Sequence, residues 1–169
     1  MLYQFHSQEF SQTLPIQLWM FGVNHLQEPV RRPQGVPYFQ WFYCVKGQGE
    51  LILNNQRSVI TKGQGFLIYP DQEHIYQAIS NDWTLHIAAF NGPLCVEILT
   101  LLQMGQSGVY HFSDTSVFEQ HIQKLLWLYE NRTSDQTLCD SKECYDFLLD
   151  LSRCITHTHE FAYCHESPF

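Results

Sequence analysis

The feature that most constrains this chain is the stretch from Leu14 to Phe90. Short apolar runs there are broken by turn-forming residues at intervals of roughly eight to twelve positions. That rhythm predicts antiparallel strands closing into a sandwich or barrel.

Pro37 to Val45 is rich in aromatic and β-branched residues and reads as a strand, and Gly47-Gln48-Gly49 turns it into Glu50 to Leu53. Asn54-Asn55 closes a hairpin, since asparagine tolerates the left-handed backbone that tight turns need. Ser58 to Thr61 returns, Gly63-Gln64-Gly65 turns again, and Phe66 to Tyr69 ends at Pro70, which has no N–H to give a ladder. His74 to Ile79 and Trp83 to Phe90 follow, separated by the polar turn Ser80-Asn81-Asp82. With connections this short, successive strands are expected to pair.

From Leu94 onward the pattern is helical. Gly92-Pro93 opens a helix with Leu94, Ile98, Leu101 and Leu102 on one stripe, ending at Gly105. Ser116 with Glu119, and Asp140 with Glu143, have the form of capping boxes. Phe118, Ile122, Leu125, Leu126 and Tyr129 follow the first at helical spacing, and Phe147, Leu148, Leu151 and Ile155 follow the second. The polar link Asn131 to Thr137 predicts an antiparallel helical hairpin.

At 169 residues and 44% apolar composition, the chain suits one core with a smaller appendage. No run of 18 apolar residues spans a bilayer and the start lacks a signal-peptide pattern, so a cytoplasmic location is expected. Six cysteines without paired spacing are expected as reduced thiols, which leaves the sequon Asn131-Arg132-Thr133 without consequence. With net charge −8 and only nine Lys and Arg, there is no basic stripe for a phosphate backbone. Neither GxSxG, a Walker loop nor HExxH occurs, and no cysteine has neighbours that would activate it, so no catalysis is expected. Cys154, His157, His159, Cys164 and His165 lack the pair spacing of a zinc site.

The order of strands, glycines and helices from Leu14 to about Ile155 resembles the N-terminal sensor domain of AraC-type transcription regulators. The resemblance is carried by Arg32-Pro33, YFQWFYCVKGQGEL from Tyr38 to Leu51, KGQGFLIYPDQEHIY from Lys62 to Tyr76, and DWTLHIAAFNGP from Asp82 to Pro93. It implies a mainly β fold: a cupin-type jelly-roll barrel, or double-stranded β-helix, followed by a C-terminal α-helical hairpin. It further implies an N-terminal arm at 1–13, a ligand-binding barrel at 14–92, a helical dimerisation segment at 93–155, and a tail or linker at 156–169. In that family the barrel binds a small effector, often a sugar, the helices form a homodimer, and a separate helix-turn-helix region reads DNA. Fourteen residues after Ile155 are too few for such a unit, so DNA contact is expected only through a region this chain lacks.

Cupin enzymes hold a metal at positions that fall here on Gln34, Val36, Gln40 and His74. Valine has no donor atom and glutamine is a poor ligand, so no metal or other cofactor is expected. Arg32 falls where sugar-binding relatives place an arginine on effector hydroxyls, although Arg31 stands beside it. Tyr76 matches a pocket tyrosine, and strand alternation puts His74 and Tyr76 on one face. Trp83, Leu85 and Ile87 share a face of the last strand. Leucine and isoleucine there point to an effector less polar than a plain monosaccharide, with Trp83 available for stacking.

The expected effector-lining set is therefore Arg32, Val36, Gln40, His74, Tyr76, Trp83, Leu85 and Ile87. The expected dimer seam is Phe118, Ile122, Leu125, Leu126, Tyr129, Leu148, Leu151 and Ile155. Two other readings compete with the sensor: a cupin enzyme such as a sugar isomerase or metal dioxygenase, and a barrel filled by its own side chains that binds nothing.

Overall fold

A computed structural model of the chain describes residues 1–5, 14–132 and 134–158. Most of the expected arm, Thr133 of the sequon, and His159, Cys164 and His165 of the tail group lie outside the described residues.

The strands are β1 (Leu2–Gln4), β2 (Gln17–Leu26), β3 (Val30–Arg32), β4 (Phe39–Lys46), β5 (Gln48–Leu53), β6 (Gln56–Thr61), β7 (Gln64–Ile68), β8 (His74–Ala78) and β9 (Thr84–Asn91). After them come α1 (Cys95–Leu101), β10 (Gly108–Phe112), α2 (Ser116–Glu130), α3 (Gln136–Leu151) and β11 (Ile155–His157). Every pairing is antiparallel, in one sheet ordered β1-β2-β9-β4-β7-β10-β11 and a second ordered β3-β8-β5-β6. The two sheets face each other as the walls of the expected barrel.

Local chemistry sets the turns. Asn54 and Asn55 have φ of 51° and 60°, the two left-handed positions of a tight hairpin turn, and they hold Leu53 opposite Gln56. Alternation along β4 and β9 then sends side chains to two cores. Phe42, Cys44, Leu85 and Ile87 fill the space between the sheets with Leu51, Phe66 and Tyr76. Phe39, Trp41, Tyr43, Ala88 and Phe90 face the other way, against Phe118, Ile122, Phe147 and Leu148 of the hairpin.

The sheet runs past both expected ends of the barrel. Leu2–Gln4 pairs with Met20–Gly22, and β10 pairs with β7 and β11 beyond α1. The α1 stripe is displaced: Leu94 and Leu101 are exposed, and Cys95 and Leu99 are the buried residues. Neither capping box forms. Asp114 caps α2 by accepting the Ser116 N–H at 2.9 Å. Asp140 and Glu143 lie inside α3, which begins at Gln136.

The expected dimer seam is largely spent inside the chain. Phe118, Ile122, Leu125, Leu148 and Leu151 are buried against the outer face of the larger sheet, and Leu126, Tyr129 and Ile155 are half-buried on the same core. Ile155 belongs to β11 rather than to a helix. The sheet face is wide enough to consume the apolar stripes of both helices, which leaves those five buried side chains unavailable to a partner.

Ionic contacts fix the hairpin register. His121 on α2 bonds Glu143 at 2.6 Å through Nδ1 and Asp150 at 2.9 Å through Nε2, both on α3. Lys124 adds ion pairs to Glu143 and to Asp146, the latter at 3.3 Å. Burial disfavours charge on His121, but bonds to two carboxylates outweigh it and raise its pKa above 6.5. A raised folded pKa contributes stability that is complete below 6.5 and fades as pH rises through the folded value. Urea unfolding followed upward from pH 6 should therefore show stability falling in the wild type, with a shallower slope in His121→Gln. Equal slopes would show that the charged pairing is not formed.

Candidate functional site

Cross-strand register arranges the inter-sheet space in tiers. On the smaller sheet, one rank runs Gln56, Leu53, His74, Arg32 and the next runs Ser58, Leu51, Tyr76, Val30. On the larger sheet, Met20, Ala89, Gln40 and Ile68 form the rank nearest the β7–β8 turn, and Gly22, Ile87, Phe42 and Phe66 form the next. The short turn from Ile68 to His74 brings the two first ranks to the same end of the barrel.

The second tier is a plug. Phe42 and Phe66 stack with centroids 4.4 Å apart, and Tyr76 packs against them at 5.2 and 5.9 Å. Below it Leu85 pairs with Cys44, and Trp83 is fully buried over Gly49, where an added methyl would collide with the indole. Trp83 and Leu85 are thus floor, and Tyr76 and Ile87 are plug. The tryptophan is not a stacking platform at the β7–β8 end.

The first tier is polar and incompletely bonded. His74 is 1% exposed and bonds the Gln72 carbonyl at 2.8 Å through Nδ1. Burial, with help from the Arg32 charge, holds its pKa below the ordinary 6.5 against that bond, so the ring is neutral and Nε2 is left as a bare lone pair. This Nε2 and the Oε1 of buried Gln40 have no hydrogen-bond partner among the described residues. An unmet buried acceptor costs about 1–3 kcal/mol, so the end of the barrel carries two acceptors that a bound molecule can satisfy.

Arg32 is exposed at the rim, and its charge bears on His74, Tyr38 and Tyr76. Burial pushes the Tyr76 hydroxyl up to about 12, so it stays protonated. Val36 is half-buried in the adjoining loop, where its carbonyl accepts the Asp71 N–H at 2.9 Å. Of the expected set, the structure brings Arg32, Val36, Gln40 and His74 to the β7–β8 end of the barrel. It adds Tyr38, whose ring stacks on Trp19 at 5.8 Å, and Leu53, beside His74 in register. Tyr38 opens the YFQWFY segment, and its weight was visible only as one aromatic among many. Of the four cupin metal positions, Gln34 is exposed, and only His74 offers a good donor.

One cleft reaches this region from the side. It holds about 520 Å³ between the β5–β6 hairpin and the β7–β10 pair, with Leu51, Leu53 and Val109 among its lining residues. A smaller one of about 210 Å³ lies outside, between the Asn54-Asn55 turn and His74. The other expected effector residues line neither.

A jelly-roll barrel with a polar, underbonded end, backed by a helical hairpin, defines a small-molecule-binding domain of cupin architecture. The chain belongs to the family of AraC-like ligand binding domains, whose model matches residues 22–145. No curated protein sequence matches it. The AraC-like transcriptional activator CuxR shares the fold with a TM-score of 0.50 at 12% identity, over 90% of this chain and 61% of that one. ToxT from Vibrio cholerae aligns with a TM-score of 0.41 at 13% identity, over 79% of this chain and 53% of that one. A cupin 2 barrel protein from Leptotrichia buccalis aligns at 0.32 and 16%, over 44% and 34%. The chain thus spans between 34% and 61% of the length of these solved chains. No helix among the described residues is long and apolar enough to cross a membrane.

Proposed function

We propose that this chain is the effector-sensing and dimerisation module of a cytoplasmic transcription regulator, and that it binds without catalysing. The effector is a small hydroxylated molecule, a carbohydrate or a relative of one, seated at the polar β7–β8 end of the barrel. The observation that carries this reading is the pair of buried, unpartnered acceptors, His74 Nε2 and Gln40 Oε1. Hydroxyl groups donate to such atoms, whereas a carboxylate or phosphate would set acceptor against acceptor. Arg32 at the rim supplies donors to the effector's remaining oxygens. DNA contact in this reading is made by a helix-turn-helix unit and not by the barrel. The effector acts by binding one arrangement of barrel and helices more tightly than another.

The helical segment dimerises through its outer face. Trp127, Leu138, Tyr145 and Leu149 are exposed on these two helices, and Tyr145 and Leu149 line a groove of about 470 Å³. Trp127→Glu should shift the protein from dimer to monomer in sedimentation at micromolar concentration, while a wild type that sediments as a monomer removes dimerisation from the proposal.

A thermal-shift screen of sugars, polyols and sugar acids tests the effector site. A cognate ligand at about a hundred times its Kd should add roughly 2.7 kcal/mol of stability. Gln40→Leu should abolish that gain while leaving the unliganded protein as stable or more stable by about 1 kcal/mol, because an unmet acceptor is removed. If Gln40→Leu binds as tightly as wild type, the effector is not at this end.

A further inference from the structure

The 520 Å³ cleft is a binding space distinct in character from the barrel end. Its floor is aliphatic, made by Leu51, Leu53 and Val109, all of the inter-sheet core. Among the described residues its rim is uncharged apart from Arg57, which is committed to the buried carboxylate of Glu50. Asn54, Gln56 and Ser58 on the rim bring amide and hydroxyl groups.

Two links join the cleft to the effector end. Leu53 is the direct cross-strand neighbour of His74, and Leu51 of Tyr76, at separations where side chains touch. Ser107 on the cleft wall bonds the side chain of Gln72, the residue whose carbonyl takes the His74 Nδ1 bond. Leu53, which both neighbours His74 and lines the cleft, thus joins the two regions on the near side of the aromatic plug.

Resting on the effector reading above, we propose that the effector is amphipathic: a neutral hydroxylated head bound at His74 and Gln40, carrying a short aliphatic tail that occupies the cleft between β6 and β10. Head and tail are recognised separately, the head by acceptors and the tail by leucine and valine. The cleft wants an uncharged alkyl segment, because no uncommitted cation among the described residues stands on its rim to hold an anionic end.

The test uses the full chain and calorimetric titration with methyl, butyl and hexyl β-pyranosides of glucose, galactose and mannose, plus hexanoate. For the sugar that binds, hexyl should exceed methyl in affinity by at least about tenfold, from methylenes withdrawn from water. Ser58→Trp fills the cleft and should bring the hexyl-to-methyl ratio to about one. Gln56→Trp, at an exposed position on the same wall, should do likewise if Ser58→Trp fails to fold. Equal affinity for hexyl and methyl forms, or a ratio unmoved by both tryptophans, overturns the tail site while leaving the head reading intact. Hexanoate binding as tightly as the hexyl glycoside overturns the neutral-head assignment. Failure of every pyranoside at every length overturns the carbohydrate reading and the tail with it.

Discussion

Everything in this fold depends on β4 and β9 being buried on both faces. Each sends alternate side chains into the barrel and the intervening ones onto the helices, so neither core can be altered without touching a strand shared by the other. His86 shows the sharing at a single residue. Fully buried between Leu85 and Ile87, it accepts the Asn24 N–H at 3.2 Å on one side and pairs with Glu119 of α2 on the other. Glu119 and His121 then tie the barrel to α2 and α2 to α3. A change at the barrel's inner face thus has a continuous path of packed and bonded groups to the hairpin.

The same double burial explains why the barrel is filled with rings at depth and polar at one end. Aromatic side chains from β4, β7 and β8 meet at the second tier, where three rings fill the width between the sheets. One tier outward those strands carry Gln40, Ile68 and His74, and polar atoms replace rings. Close packing of the plug gives that end a rigid floor, which holds the His74 and Gln40 acceptors in fixed positions.

Much of this was legible in the sequence, for reasons that can be named. The strands from Phe39 to Asn91 announce themselves through alternation and through turns such as Asn54-Asn55, whose left-handed backbone asparagine accepts. Strand β2 was hidden because register shifts at Leu18/Met20 and Gly22/His25 break its alternation. β10 was hidden because five residues between helices carry too little period to read. The Asp140–Glu143 pair mimicked a helix start, yet those acids are buried partners of Gln136, His121 and Lys124. At the site, parity placed His74 with Tyr76, and the cupin pattern placed Gln40 opposite them on the pocket side. Depth was not readable, because it follows from the pairing of distant strands: Trp83, Leu85, Ile87 and Tyr76 share the inner face with His74 but lie beneath it.

The central claim is that a neutral His74 keeps its proton on Nδ1 and offers Nε2 as an acceptor to a hydroxylated ligand. Long-range proton–nitrogen correlation of the histidine ring reads this directly. An Nδ1–H tautomer should persist below pH 6.5, with Nε2 shifting on addition of a bound hydroxylated effector. An Nε2–H tautomer, or an imidazolium at neutral pH, would contradict it.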